Sequence, residues 1–198
     1  AGPRDVSAVC VGGRLALAVV AFLVRGARVD SGGVDRALER DEFVLYYQPK
    51  IDVQTRRITG VEALIRWQRS EHELILPGHF IALAEETGLI VPIGEWVLRT
   101  ACAAARAWRD RGLPPLTVAV NLSARQFTKQ NLVVDIANVL RDSGLEANSL
   151  ELEITESMIM HDPDRSARLL EQIKSTGVRV AMDDFGTGYS SLSYLKRF

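Results

Sequence analysis

Residues 117–121 read Thr-Val-Ala-Val-Asn, a short apolar and β-branched run that ends in a polar residue, and this pattern decides the fold. Comparable runs occupy residues 150–154 and 178–182. Apolar positions at helical spacing separate them, first over 132–140 and then from Pro163 onward. Strands that alternate with helices in this way predict βαβ units and a parallel sheet, so the predicted fold class is α/β.

The chain before residue 117 adds a hairpin and a long helix. Residues 43–47 and 58–67 are rich in aromatic and β-branched residues, and they predict two strands joined by a turn over 51–57. A short charged helix is predicted over 34–40. Apolar positions between 93 and 108 recur at helical spacing, so the hydrophobic period changes from two to about 3.6 after the hairpin.

Composition limits the function classes. The 198 residues are 47% apolar and 25% charged, as in a globular domain. With 24 basic against 25 acidic side chains the net charge is −1, so no positive field exists to hold a DNA or RNA duplex. Cys10 and Cys102 are too far apart in sequence to form a zinc motif or a disulfide framework, and we expect both to be free thiols.

The first thirty residues differ from the rest. Residues 6–24 are almost all apolar or small, with Arg14 near the middle and Arg25 and Arg28 just after. Three interpretations stay open: the end of a transmembrane helix, an apolar amphipathic or linker segment, and a signal sequence. We therefore expect an apolar N-terminal helix or leader over 1–29, a flexible linker over 30–34 and one domain over 35–198.

Polar side chains recur at or near the ends of the predicted strands. They are Glu62, Asn121, Glu153, Asp183 and Asp184. In a parallel α/β barrel these ends converge on one face, where active sites are built. Converging carboxylates repel one another, and oxygen ligands without thiol or imidazole suit Mg²⁺ or Mn²⁺. The pattern predicts a metal-assisted enzyme and leaves the substrate open.

Each of these residues also has a structural interpretation. Glu62 or Glu153 alone would more often be a solvated residue on an edge strand. Asn121 would cap the helix that follows it as readily as it would bind a cation. His72 and His161 match no metal position.

Five motifs stand together in one order along the chain. They are Tyr47-Gln48-Pro49, Glu62-Ala63-Leu64-Ile65-Arg66-Trp67, Asn121-Leu122-Ser123, Glu151-Leu152-Glu153-Ile154-Thr155-Glu156 and Asp183-Asp184-Phe185-Gly186-Thr187-Gly188-Tyr189-Ser190-Ser191. In this order they resemble the EAL domain family, and the resemblance covers about residues 35–198. It implies a TIM-like (β/α) barrel that is incomplete here, because eight strands need about 250 residues.

The resemblance also implies a reaction. Members of this family hydrolyse cyclic di-GMP to linear pGpG with two Mg²⁺ or Mn²⁺ ions. By resemblance, a first ion is held by Glu62, Asn121, Glu153 and Asp183, and Asp184 holds a second ion that Asp183 also reaches. The same carry-over makes Glu62, Asp183 and Asp184 the catalytic residues.

Further residues receive roles from the same resemblance. Arg66 is expected to hold a substrate phosphate, and Gln48 and Leu64 to line the dinucleotide site. Glu156 is expected to anchor the loop after Asp184, which resembles the family's dimer-contact loop, so a homodimer is an expected partner. The complete parent is expected to be tethered at the cytoplasmic side of the bacterial inner membrane.

The family continues beyond the position of Phe198 with a lysine strand, a further metal-binding glutamate and a glutamine at the guanine site. Lys196 lies too close behind Asp184 to replace that lysine. We therefore expect activity in the complete parent and little in these 198 residues alone. The alternative is a module that binds cyclic di-GMP, or another protein, without catalysis.

Overall fold

Six strands form one sheet in the computed structural model, which describes residues 30–183. They are β1 (Phe43–Ile51), β2 (Ile58–Ser70), β3 (Glu73–Ile75), β4 (Thr117–Asn121), β5 (Leu150–Thr155) and β6 (Arg179–Asp183). The order across the sheet is β1-β2-β4-β5-β6, and β3 pairs with the far end of β2. Strands β2, β4, β5 and β6 run parallel, whereas β1 and β2 form an antiparallel hairpin.

One helix precedes the hairpin, and the others lie between the later strands. The helices are α1 (Ser31–Glu39), α2 (Ile81–Thr87), α3 (Ile90–Asp110), α4 (Ala124–Phe127), α5 (Leu132–Ser143), α6 (Glu156–Met160) and α7 (Pro163–Ser175). The α/β class and the parallel sheet predicted from the sequence are confirmed. The hairpin turn is confirmed as well: the Asp52 carboxylate accepts hydrogen bonds from the Thr55 amide and hydroxyl, both at 2.7 Å.

The two faces of the sheet differ in chemistry because side chains alternate along each strand. One face packs against the helices and is apolar; its buried members include Val118, Val120, Leu150, Leu152 and Ile154. The opposite face carries the alternate residues, among them Gln48, Lys50, Glu62, Asn121, Glu151, Glu153 and Asp183. The polar face is therefore the one on which a functional site is built.

The tryptophans of α3 pack as core residues, as predicted. Trp96 lies against Phe43 with ring centroids 6.0 Å apart, and Trp108 meets Tyr47 edge-on at 4.7 Å. Cys102 of the same helix is a free thiol and is fully buried, which raises its pKa to about 12. Cys10 lies outside the described residues.

The start of α1 differs from the prediction. The helix begins at Ser31, inside the segment assigned to a flexible linker, because the Asp30 carboxylate caps it by accepting a hydrogen bond from the Gly33 amide at 2.6 Å. Gly33 sits close to the ring of Trp67, where a Cβ would stand only 3.3 Å from a ring carbon. Gly32 and Gly33 indicated flexibility in the sequence, but Gly33 instead allows α1 to pack closely against Trp67.

Several short elements were absent from the sequence prediction, namely β3, α2, α4 and α6. Across residues 30–183 no helix is both long and apolar enough to span a bilayer. The predicted apolar leader over 6–24, Asp184 and the loop over 186–188 lie outside the described residues.

Candidate functional site

The strand register brings the predicted metal-binding side chains onto one face. Asn121 at the end of β4 pairs with Glu153 of β5. Glu62 of β2 pairs with Ala119, which precedes Asn121 by two residues and lies on the same face of β4. Asp183 at the end of β6 pairs with Thr155. The parallel run therefore collects the four residues at its carboxyl end, as the sequence predicted.

Glu62 and Asn121 are joined directly. The Asn121 amide nitrogen donates a hydrogen bond to Glu62 Oε1 at 2.8 Å. The helix after Asn121 is capped instead by Ser123, which forms a reciprocal capping box with Gln126. The capping role considered for Asn121 is thus wrong, and its side-chain amide contacts the Glu62 carboxylate instead.

Glu153 is the most enclosed member of the group, with only 7% of its surface exposed. Its Oε1 accepts a hydrogen bond from the Lys50 ammonium at 2.5 Å. Its Oε2 is buried and has no hydrogen-bond partner within residues 30–183. A buried carboxylate oxygen without a partner is costly, and a bound cation is one of the few groups that would satisfy it.

The electrostatics of Glu153 reflect this crowding. Burial raises the pKa of its carboxyl above the ordinary value, Lys50 opposes that rise, and the charges of Glu62 and Asp183 add to it. A second positive charge at this position would stabilise the ionised form of Glu153.

Lys50 is the functional-site residue that sequence reasoning missed. It also donates to Glu151 Oε1 at 2.6 Å, so one ammonium bridges two carboxylates of β5. Burial alone lowers the pKa of Lys50, but its hydrogen bonds to Glu151 and Glu153 raise it above the ordinary value. No local signal predicts this, because the partners lie 101 and 103 residues away.

The contact of Lys50 with the β5 carboxylates also indicates that the sheet is curved. Strands β1 and β5 are separated by β2 and β4, which in a flat sheet amounts to about 14 Å between strand axes. A lysine side chain reaches less than half that distance. The direct contact of Lys50 with Glu153 therefore requires that the polar face is concave, as in the wall of a barrel.

The residues expected at the substrate lie on the same concave face. Gln48 pairs directly with Glu62 across the hairpin, and Leu64 and Arg66 follow Glu62 at every second position of β2. The Arg66 guanidinium donates to the Ile65 carbonyl at 2.8 Å and lies 5.8 Å from the centre of the Tyr46 ring. These residues form a rim that leads from the carboxylates along the hairpin.

Glu156 occupies a different position, as the first residue of α6, where it is buried directly after β5. Its carboxylate favours the amino-terminal end of a helix. The loop it was predicted to anchor lies outside the described residues.

The donor set suits a hard divalent cation, since it consists of carboxylate and amide oxygens. Within residues 30–183, no three His, Cys, Asp or Glu side chains converge as a preformed cation site. Asn121 is not counted in such a group, and Asp184 falls beyond that range. The orphaned Oε2 of Glu153 is the observation by which this face fits a metal ion.

Known proteins with similar sequences carry the same domain. The family model described as EAL domain matches residues 33–198. The bifunctional diguanylate cyclase/cyclic di-GMP phosphodiesterase MucR of Pseudomonas aeruginosa is 53% identical over 162 residues, covering 82% of this chain and 24% of MucR. The cyclic di-GMP phosphodiesterase PdeR of Escherichia coli is 44% identical over 163 residues, covering 82% and 24%. The chain thus spans about a quarter of the length of these relatives.

A solved structure agrees with the sequence comparison. The MucR phosphodiesterase of P. aeruginosa in complex with c-di-GMP is 51% identical and superposes with a TM-score of 0.81, over 84% of this chain and 68% of that one. This similarity confirms the predicted fold of the TIM-like barrel type. With the family model matched over 33–198, the chain belongs to the EAL domain family.

Proposed function

We propose that this chain carries the core of a metal-dependent phosphodiesterase that hydrolyses cyclic di-GMP to linear pGpG. The observation that carries the proposal is the concave polar face on which Glu62, Asn121, Glu153 and Asp183 lie at neighbouring strand ends. Support comes from MucR and PdeR, which are 53% and 44% identical to this chain and are both named as cyclic di-GMP phosphodiesterases.

In this proposal the four residues hold a first divalent cation, Mg²⁺ or Mn²⁺, and Asp184 joins Asp183 in holding a second. Such a pair of ions lowers the pKa of bound water and stabilises charge on phosphoryl oxygens. Glu153 contributes its partnerless Oε2, and Glu62 is held in place by the Asn121 amide. The protein would thereby supply the oxygen ligands that hold the cations, and the cations would offset the negative charge of the phosphodiester.

The hairpin rim binds the dinucleotide. Arg66 lies on the same face of β2 as Glu62, which supports a role for its planar guanidinium in pairing with a phosphate. Gln48 is exposed next to Glu62, where its amide can donate to or accept from a guanine edge. Leu64 is half-buried between them and covers an apolar part of the ligand.

A role in assembly is proposed for the segment that follows the site. Glu156 fixes the amino-terminal turn of α6 beside the metal-binding strand β5. By family resemblance it anchors the loop after Asp184, and that loop contacts a second copy of the protein. A membrane tether formed by residues 6–24 is proposed on the same footing.

A second candidate function is binding of cyclic di-GMP without hydrolysis. The ion pair of Lys50 with Glu153 favours it, since this carboxylate already has a cationic partner at 2.5 Å. The two functions differ in one property: hydrolysis needs the divalent cation, whereas binding through Arg66 and Gln48 does not.

The test is a turnover assay on the protein that carries this chain, with Mn²⁺ and cyclic di-GMP, followed by chromatography of the nucleotides. Glu62→Ala is expected to abolish formation of pGpG. Glu146→Ala is the matched control, because Glu146 is an exposed glutamate paired with Arg109 at 2.9 Å. Turnover that persists in Glu62→Ala refutes the proposed ligand, and binding with no turnover in the wild type supports the second candidate.

A further inference from the structure

The bridge from Lys50 to Glu151 and Glu153 is the strongest polar contact on the concave face that the proposed reaction does not use. Its three side chains are 35%, 21% and 9% exposed, so the cluster is largely enclosed. It joins β1 to β5 across the two strands that carry Glu62 and Asn121. A partly buried ion pair of this kind is weak evidence for stability, and in some proteins such a pair serves to specify geometry.

Two consequences follow from where the ammonium binds. It occupies Oε1 of Glu153 and so fixes the rotation of that carboxylate, which leaves Oε2 as the oxygen without a partner. It also links β1 to β5 over the face of the two strands that carry Glu62 and Asn121, so the separation of β1 and β5 depends on this contact. Both consequences concern the geometry of the proposed ligands.

We propose that Lys50 is a positioning residue for the divalent cation: it acts through Glu153, and Glu151 holds it in place. This inference rests on the proposed function. It assigns to Lys50 and Glu151 no contact with substrate or with the reacting atoms. Partners that orient metal ligands typically contribute about 10–100-fold to metal affinity.

Simple electrostatics makes the opposite prediction for one of the two residues. Removing the Lys50 charge would strengthen the attraction of the face for a cation, and removing the Glu151 charge would weaken it. The positioning role predicts that both changes weaken binding of the divalent cation. Loss of the Lys50 ammonium releases the Glu153 carboxylate, and loss of the Glu151 charge shifts the ammonium further onto Glu153. The sign of the Lys50 effect therefore separates the two explanations.

The experiment measures Mn²⁺ affinity by electron paramagnetic resonance on the protein carrying this chain, with no nucleotide present. Mn²⁺ binding at the proposed site is the part of the total Mn²⁺ binding that is lost in Glu62→Ala. Lys50→Met and Glu151→Gln are each expected to weaken that part about 10–100-fold, and Lys50→Arg, which keeps the charge and can bridge both carboxylates, is expected to stay within about threefold of wild type.

Lys129→Met is the matched control, because Lys129 likewise bridges two carboxylates, Glu95 at 2.5 Å and Asp135 at 2.8 Å, away from the site. It is expected to leave Mn²⁺ affinity unchanged. Thermal unfolding checks each variant; if Lys50→Met does not fold, Lys50→Gln, which also removes the charge and keeps a polar side chain, takes its place with the same expected result. Unchanged or tighter Mn²⁺ binding in folded Lys50→Met overturns the inference alone. A wild-type protein that binds no more Mn²⁺ than Glu62→Ala overturns the proposed metal site and the role of Lys50 with it.

Discussion

Gly94→Ala tests how α3 supports the loop that presents Asn121. Gly94 is buried in the second turn of α3, and a Cβ at this position would overlap the side-chain amide of Gln126. Gln126 is itself only 6% exposed, and its amide oxygen accepts hydrogen bonds from the Ser123 amide and hydroxyl at 3.2 and 3.0 Å. The added methyl group therefore forces Gln126 out of the capping box that starts α4 directly after Asn121.

The expected effect can be worked out from opposing terms. Overpacking costs about 1–3 kcal/mol, and loss of the cap costs about 1 kcal/mol. The better helix propensity of alanine returns about 1 kcal/mol. The free energy of unfolding should fall by about 2 kcal/mol, which corresponds to a Tm about 4–8 °C lower for a chain of this size.

Thermal and urea unfolding monitored by circular dichroism measures this change. Gly78→Ala is the matched control, because a Cβ on Gly78 meets nothing within 4 Å, and its effect should stay within about 0.5 kcal/mol. In a Gln126→Ala background the cost of Gly94→Ala should largely disappear. Stabilisation by Gly94→Ala, as helix propensity alone predicts, or an equal cost in both backgrounds, refutes the reasoning.

Four further outcomes are expected from the protein that carries this chain. Chelation of divalent cations should abolish pGpG formation and Mn²⁺ should restore it, whereas recovery without added metal contradicts a metal-dependent reaction. Arg66→Ala should raise KM about tenfold or more with a smaller change in kcat, because a phosphate contact made equally in the ground and transition states acts on binding; a pure kcat effect argues otherwise. In a Cys10→Ser background, the buried Cys102 thiol with its pKa of about 12 should resist a thiol reagent at pH 8 until the protein unfolds, and rapid labelling of the native state counts against its burial. Cell fractionation should place the protein in the membrane pellet if residues 6–24 form the anchor, and recovery in the supernatant at low salt without detergent contradicts it.

The elements predicted well from sequence are those whose burial pattern is continuous. Strand β4 is an apolar run that ends in Asn121, and β5 alternates apolar residues with glutamates, so the type and place of both strands were visible. Strand β3 and helix α2 were missed, since three and seven residues are too few to display a period. Glycines at 32 and 33 indicated a break, and only the structure reveals that Asp30 caps a helix there.

The candidate site divides in the same way. Glu62, Asn121, Glu153 and Asp183 could be proposed from sequence because each follows or interrupts an apolar run, and the strand register joins them. Lys50 could not be proposed, because its position depends on the curvature of the sheet and on a partner strand about 100 residues away. Capping was considered as the alternative role of Asn121, and the structure gives the cap to Ser123, which is equally suited by composition.

The central claim is that four side chains on the concave face hold a catalytic cation. The most direct measurement is a crystal structure of the protein soaked with Mn²⁺, in which anomalous scattering locates the ion independently of its surroundings. The account predicts a strong peak within about 2.5 Å of oxygens of Glu62, Asn121, Glu153 and Asp183, with Glu153 Oε2 among them. A peak elsewhere, or none at this face while the fold is intact, contradicts it.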